Sequence, residues 1–130
     1  MITTTTNGVK ISVKQLFRND QSDILNNVFL FNYTINIENQ NDFAIQLKRR
    51  YWVIIDSLAS KRKVQGAGVI GEQPIIEPGE VFVYSSACDL ASELGFMEGF
   101  YLFSKHPDIG EQPFKVEVPR FKLEYPYKLN

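Results

Sequence analysis

Residues 28–39, VFLFNYTINIEN, decide the fold. Phe29, Phe31, Tyr33, Ile35 and Ile37 alternate with Leu30, Asn32, Thr34, Asn36 and Glu38. A helix would scatter that apolar set around its circumference, whereas an extended chain places it on one side. The stretch therefore reads as a strand, with its odd-numbered residues turned into a core shared with Trp52 and Ile54. Period-two patterning continues on both sides. In GVKISVKQLF (8–17), Val9, Ile11 and Val13 stand opposite Lys10, Ser12 and Lys14. LKRRYWVIID (47–56), VFVYSS (81–86), GFMEGFYLF (95–103) and FKVEVPRFKLEYP (114–126) carry the same β-branched and aromatic character. Turn chemistry separates them at QNDF, SLAS, EPGE and HPDIGEQP. The one helical candidate, DLASELG (89–95), is a turn or two long. About seven short strands with frequent turns predict an all-β, antiparallel sandwich of immunoglobulin or fibronectin type III architecture. The Cys–Trp–Cys spacing of antibody domains is absent.

A chain of 130 residues, 44% hydrophobic and 22% charged, predicts one globular domain spanning 1–130. A net charge of −1 supplies no global attraction to nucleic acid or to an anionic membrane, so neither is an expected partner. The single cysteine, Cys88, leaves no internal disulfide to form and fits a reducing compartment. MITTTTNGVK lacks the basic and apolar regions of a signal peptide, and no apolar run approaches a membrane span. A cytoplasmic location is expected.

QGAGVIGEQP (65–74) holds glycines in the spacing G-x-G-x-x-G. In a dinucleotide fold this motif follows a parallel strand and opens a helix whose N-terminus meets the phosphates. Here two prolines and no amphipathic run follow, so that reading fails. Two readings remain open. The glycines serve the backbone at a bulge, a tight turn or a close approach, or they form a backbone nest for an anion. The nest would comprise Gly66, Gly68 and Gly71, with Arg50, Lys61 and Lys63 as the charged candidates. If SLAS closes a hairpin between Leu58 and Ala59, Asp56 faces Lys61, and Arg50 faces Ala67 between two glycines. Lys48, Arg49, Arg50, Lys61, Arg62 and Lys63 are six of the chain's 14 basic residues, all on that hairpin.

No constellation for catalysis is evident. His106 and Cys88 have no third group to orient them as a nucleophilic pair. His106 with Asp108 falls short of a metal site, and the carboxylates Glu72, Glu77, Glu80, Asp89 and Glu93 lie in turn-rich sequence where water serves them. The expectation is a protein that is not an enzyme, with no catalytic residue, metal or cofactor.

RYWVIID, VQGAGVIGEQPIIEPGEVFVYSSACDL, GFMEGFYLF and FKVEVPRFKL together resemble the ApaG family, over most of the chain. The family pattern R-x-W-x-I-x-D lands on Arg50, Trp52, Ile54 and Asp56. Its glycine loop lands on Gly66 to Pro74, with Ile70 in place of a valine. Its P-G-E turn is Pro78, Gly79 and Glu80, and M-x-G-x-Y lands on Met97, Gly99 and Tyr101. The chain departs from the pattern at Cys88-Asp89, where Cys-Pro is usual, and at SKHPDIGEQP. The resemblance implies a fibronectin-like sandwich and a link to cobalt and magnesium tolerance. It also implies gene proximity to a dinucleoside tetraphosphate hydrolase, and related domains inside an F-box protein and a polymerase-delta-interacting protein look like the usage of a binding module. The expected function is therefore binding a protein partner, a second copy of the chain included. Sensing a nucleotide or polyphosphate through the glycine loop is the alternative.

Overall fold

The computed structural model describes residues 1–127. Nine strands run β1 (Ile2–Thr6), β2 (Val9–Phe17), β3 (Phe29–Asn39), β4 (Ala44–Asp56), β5 (Arg62–Ala67), β6 (Ile75–Ile76), β7 (Val81–Leu90), β8 (Leu94–His106) and β9 (Phe114–Glu124). They form two antiparallel sheets, ordered β1-β2-β3-β7 and β5-β4-β8-β9, with β6 also paired to β4. The all-β sandwich expected from the periodicity is what forms. Two strands escaped the pattern: β1, hidden in the threonine run, and the two-residue β6. The DLASELG segment makes no helix. Its first two residues finish β7, a bend follows, and its last two open β8. Two single-turn 3-10 segments, Asn19–Gln21 and Ile24–Asn26, lie between β2 and β3. Among the described residues no helix is long and apolar enough to cross a membrane.

The core follows the alternation. Phe29, Phe31, Tyr33, Ile35 and Ile37 are all buried, as are Val9, Ile11 and Val13 across the ladder. Trp52 packs edge-on to Tyr101 and Phe121, with ring centroids 6.1 Å away in each case, and Tyr33 tilts against it at 5.8 Å. Tyr84 and Tyr101 share a buried hydroxyl–hydroxyl bond of 2.5 Å, and burial pushes both phenols above their ordinary pKa.

The β4–β5 hairpin differs from expectation by one residue. Arg50 pairs with Gly66, Trp52 with Val64 and Ile54 with Arg62. The centre of the turn therefore falls on Leu58 rather than between Leu58 and Ala59. The Asp56 carboxylate accepts the Leu58 amide at 3.2 Å and starts the turn early. Because side chains alternate, the slip changes which residues share a face. Arg62, Val64 and Gly66 join Arg50, Trp52 and Ile54 on the inner side, and Lys61 lies outside the ladder.

The sandwich has two flanks. On one, β1 and β2 pack along β9. Asn7 donates its side-chain amide to the Lys115 carbonyl at 2.7 Å, and Gln15 donates to Lys122 at 2.9 Å. On the other flank the edges are β7 and β5.

Candidate functional site

The glycine loop follows β5. Gly68, Ile70 and Gly71 all have positive φ, at +64°, +44° and +77°. Val69 and Glu72 exchange backbone bonds of 2.8 and 2.9 Å around Ile70 and Gly71. That is a two-residue hairpin turn with both central residues left-handed, which explains Gly71. Gly68 answers a tighter demand, since a Cβ there would stand 2.0 Å from the Glu72 carbonyl oxygen. Gly66 lies beneath the Arg50 guanidinium, whose nearest nitrogen would be 3.1 Å from an added Cβ. Arg50 donates to the Gly68 carbonyl at 2.9 Å and to Ala67 at 3.2 Å. The loop therefore presents carbonyl oxygens, not N–H groups, to its arginine. The Gly68 amide donates to Lys48, and the Val69 and Glu72 amides close the turn. An anion nest needs such amides free and convergent. Lys61 and Lys63 are exposed, and among the described residues neither has a carboxylate within 4.0 Å.

A second feature lies on the outer face of the β5-β4-β8-β9 sheet. Tyr51 pairs with Phe100 across β4 and β8, and their rings stack at 4.6 Å and 17°. Gly99 permits this. It pairs with Trp52, and a Cβ at Gly99 would stand 1.9 Å from the Tyr51 carbonyl oxygen. Val53, Ile55, Phe96 and Leu102 are also only half-buried. Cations cover the rings, with the Lys115 ammonium 4.2 Å above Phe100 and the Arg120 guanidinium 4.2 Å above Phe96. A concavity of about 590 Å³ opens here, lined by Tyr51, Val53, Lys63, Phe100, Glu117 and Arg120. Sequence reasoning passed over this face, although RYWVIID held the signal. Tyr51, Val53 and Ile55 are as apolar as Trp52 and Ile54, and a two-layer sandwich can bury only one of the two sets.

The remaining reactive groups stand apart from both features. Cys88 is buried, and burial pushes its thiol up to about 11, so it is protonated at neutral pH. Cys88 lies on β7, opposite Phe31, whereas His106 ends β8, opposite Ala44. Asp56 is buried and accepts from the Ala91 amide at 2.6 Å and from Ser92 at 2.5 Å, in addition to Leu58. Burial opposes its ionisation, but those bonds outweigh the penalty and hold the carboxyl below its ordinary range. Among the described residues no three His, Cys, Asp or Glu side chains gather closely enough to hold a metal ion.

The model of the ApaG domain matches residues 19–105. Protein ApaG of Methylorubrum extorquens (strain PA1) is 38% identical over 122 residues, 94% of this chain and 92% of that protein. The chain belongs to the ApaG family. Protein ApaG of Brucella anthropi is 39% identical over 121 residues, covering 93% of this chain and 91% of its own. A crystal structure of a Bordetella pertussis protein assigned as ApaA superposes with a TM-score of 0.85 at 34% identity, over 92% of this chain and 95% of that one. The ApaG pattern residues take structural posts in this molecule. Trp52, Ile54, Met97 and Tyr101 are core, and Arg50 holds loop carbonyls. Asp56 anchors the β7–β8 turn. Gly79, with φ +81°, makes the turn that Glu80 closes by accepting the Glu77 amide at 2.8 Å.

Proposed function

We propose that this ApaG chain is a non-enzymatic binding module that engages a protein partner through the outer face of its five-stranded sheet. The observation that carries this reading is the stacked Tyr51–Phe100 pair in an open concavity, with half-buried Val53, Ile55 and Phe96 around it. An apolar patch ringed by charge is the usual anatomy of a protein interface. The signs on the rim choose the partner class. Glu98 and Glu117 share the lining with Lys63 and Arg120, a mixture suited to a protein surface and poor for a phosphate backbone. The implied link to cobalt and magnesium tolerance then runs through the partner. The polyphosphate alternative draws on exposed Lys61 and Lys63, but the Gly68, Val69 and Glu72 amides that a nest would need are spent on bonds within the protein.

The test is a Tyr51→Ser, Phe100→Ser double variant, compared with wild type in recovery of a stoichiometric partner from native extract. The variant should stay folded, since neither ring belongs to the buried core, and should lose the partner. Equal recovery by a folded double variant would sink the reading.

A further inference from the structure

The two sheets are unequal in width on the β5/β7 flank. β5 extends the five-stranded sheet beyond β4, while the other sheet ends at β7. β5 and β7 do not pack along each other, and the β5 residues are exposed almost throughout, inner-side Arg62 and Val64 included. Among the described residues no strand is paired to the outer edge of β7, opposite β5. We propose that this place is filled by an extended, acid-bearing segment of a partner protein, added as a strand to the free edge of β7. The inference rests on the protein-binding reading but uses a different surface.

The backbone of β7 is prepared for such an addition. The Asn39 amide donates to the Glu80 carbonyl at 3.1 Å, which sets the phase of the β3–β7 ladder. By antiparallel alternation, Phe82, Tyr84, Ser86, Cys88 and Leu90 exchange bonds with β3. Val81, Val83, Ser85, Ala87 and Asp89 then turn their N–H and C=O groups to the free side. On that side Arg62 donates to the Asp89 carbonyl, at the far end of the strand. The usual edge protections are missing: Val81–Leu90 contains no proline, glycine, lysine or arginine and no register shift. The other edges are guarded or covered, β1 by packing along β9. β9 carries Pro119 and a register shift against β8, and its carbonyls are covered by Asn7 and Gln15. β5 bears Arg62 and Lys63.

The chemistry of the vacant place selects the occupant. Crevices of about 170 and 210 Å³ run between β7 and the hairpin, one lined by Arg50, Val64, Ser86 and Cys88, the other by Arg50, Ile70 and Ser86. A side chain pointing inward from an added strand meets Val64 or a guanidinium. Lys61, just outside the ladder, adds positive field and has no ion-pair partner among the described residues. Alternate apolar and carboxylate residues fit that lining. A second copy of the chain does not fit. Pairing β7 with β7 about a two-fold axis would bring two overhanging β5 strands into one space.

The probe is an acetylated, amidated decapeptide, Thr-Val-Thr-Glu-Thr-Val-Thr-Glu-Thr-Val, with a Lys-for-Glu twin and a version N-methylated at alternate residues. Amide hydrogen exchange is read on the full chain. Saturating Glu peptide should slow Val83, Ser85 and Ala87 at least about tenfold and leave the amides bonded to β3 unchanged. The Lys twin should bind at least about tenfold more weakly, and the N-methylated version should not protect. Val83→Pro removes an outward N–H without touching the β3 ladder and should abolish the protection, and the N-methylated peptide on the unaltered chain carries the same comparison if the proline variant does not fold. The proposal is overturned if the Glu peptide leaves those three amides exchanging as in the free chain, or if the Lys twin binds equally well. The Tyr51→Ser, Phe100→Ser variant should still gain the protection. Failure here with partner loss there therefore removes the edge and leaves the sheet-face reading standing.

Discussion

The two flanks of this sandwich solve the same problem in opposite ways. Where β1 and β2 meet β9, long polar side chains cross between the sheets. The amides of Asn7 and Gln15 cap carbonyls of Lys115 and Lys122 that no strand reaches. Where β5 meets β7, one sheet overhangs the other, and the side-chain ties to β7 and the turn after it gather at one end: Arg62 to Asp89, and Asp56 to Ala91 and Ser92. The lesson is that a closed flank belongs to the fold, while a flank tied at one end keeps backbone groups available. Burial of the shared core does not distinguish the two, so the difference has to be tested at the edges and at the loop between β5 and β6.

The largest effect should come from the core that both flanks share. Trp52 is buried against Tyr33, Tyr101 and Phe121. Trp52→Ala should cost about 3–5 kcal/mol, a large share of a domain's typical 5–15. Urea unfolding followed by exchange at β9 and at β7 should show both flanks failing together. Separate transitions would break the comparison, because the flanks would then be independent units.

Next in size is the loop on the open flank. Gly68→Val sets a β-branched residue at φ +64° with its Cβ against the Glu72 carbonyl. The backbone conformation alone should cost about 1–3 kcal/mol. Gly71→Ala, with a similar φ and open space around it, should cost about 1–2 kcal/mol. A thermal melt of the pair separates close approach from conformation. If the two lose the same amount, Gly68 is there for its φ alone.

How much of this was legible beforehand varies by scale. The strand of residues 28–39 was legible because one face of it is buried, which makes the period-two pattern strong. β1 was not, because its burial alternates only weakly and threonine fits either face. The hairpin register was missed by one residue because a carboxylate, not the turn sequence, decides where the chain reverses. The glycine loop was visible as a motif, but its motif gave no direction to its carbonyls. The outer aromatic face was missed for a simpler reason. The β4 pattern was read only for the face that Trp52 and Ile54 share, and alternation sends Tyr51, Val53 and Ile55 to the opposite one.

A comparable effect, but a pH-dependent one, should come from the tied end of the open flank. Asp56→Asn keeps the shape but offers one acceptor where the carboxylate uses two, so either Ala91 or Ser92 is left short. The cost should be about 1–3 kcal/mol near neutrality. The sign with pH follows from the lowered folded pKa of Asp56. Its stabilisation is complete above the unfolded carboxyl value of about 3.9 and is lost as pH falls through the lower folded value. The gap between wild type and variant, measured by urea midpoints, should be constant from about pH 5 upward and close below about pH 4. A gap that persists undiminished in acid would mean the carboxylate's charge is not what ties β4 to the β7–β8 turn.

The smallest effects sharpen the comparison most directly, because they remove one crossing tie from each flank. Gln15→Ala deletes an uncharged bond to a β9 carbonyl and should cost about 0.5–1.5 kcal/mol. Arg62→Ala deletes a pairing whose two side chains are 42% and 66% exposed, worth about 0–1 kcal/mol after screening. Stability alone separates them poorly, so the decisive measurement is local. Losing Gln15 should speed exchange along β9 only a little, because β1 and β2 still pack on it. Losing Arg62 should free the Asp89 carbonyl and extend the open stretch of β7 by one bond. Its amides at Val83, Ser85 and Ala87, already turned to the free side, should exchange no faster than before. If those amides slow down or speed up markedly when Arg62 is removed, the arginine holds the whole edge rather than its end. β7 would then have to be regarded as a closed flank like β9.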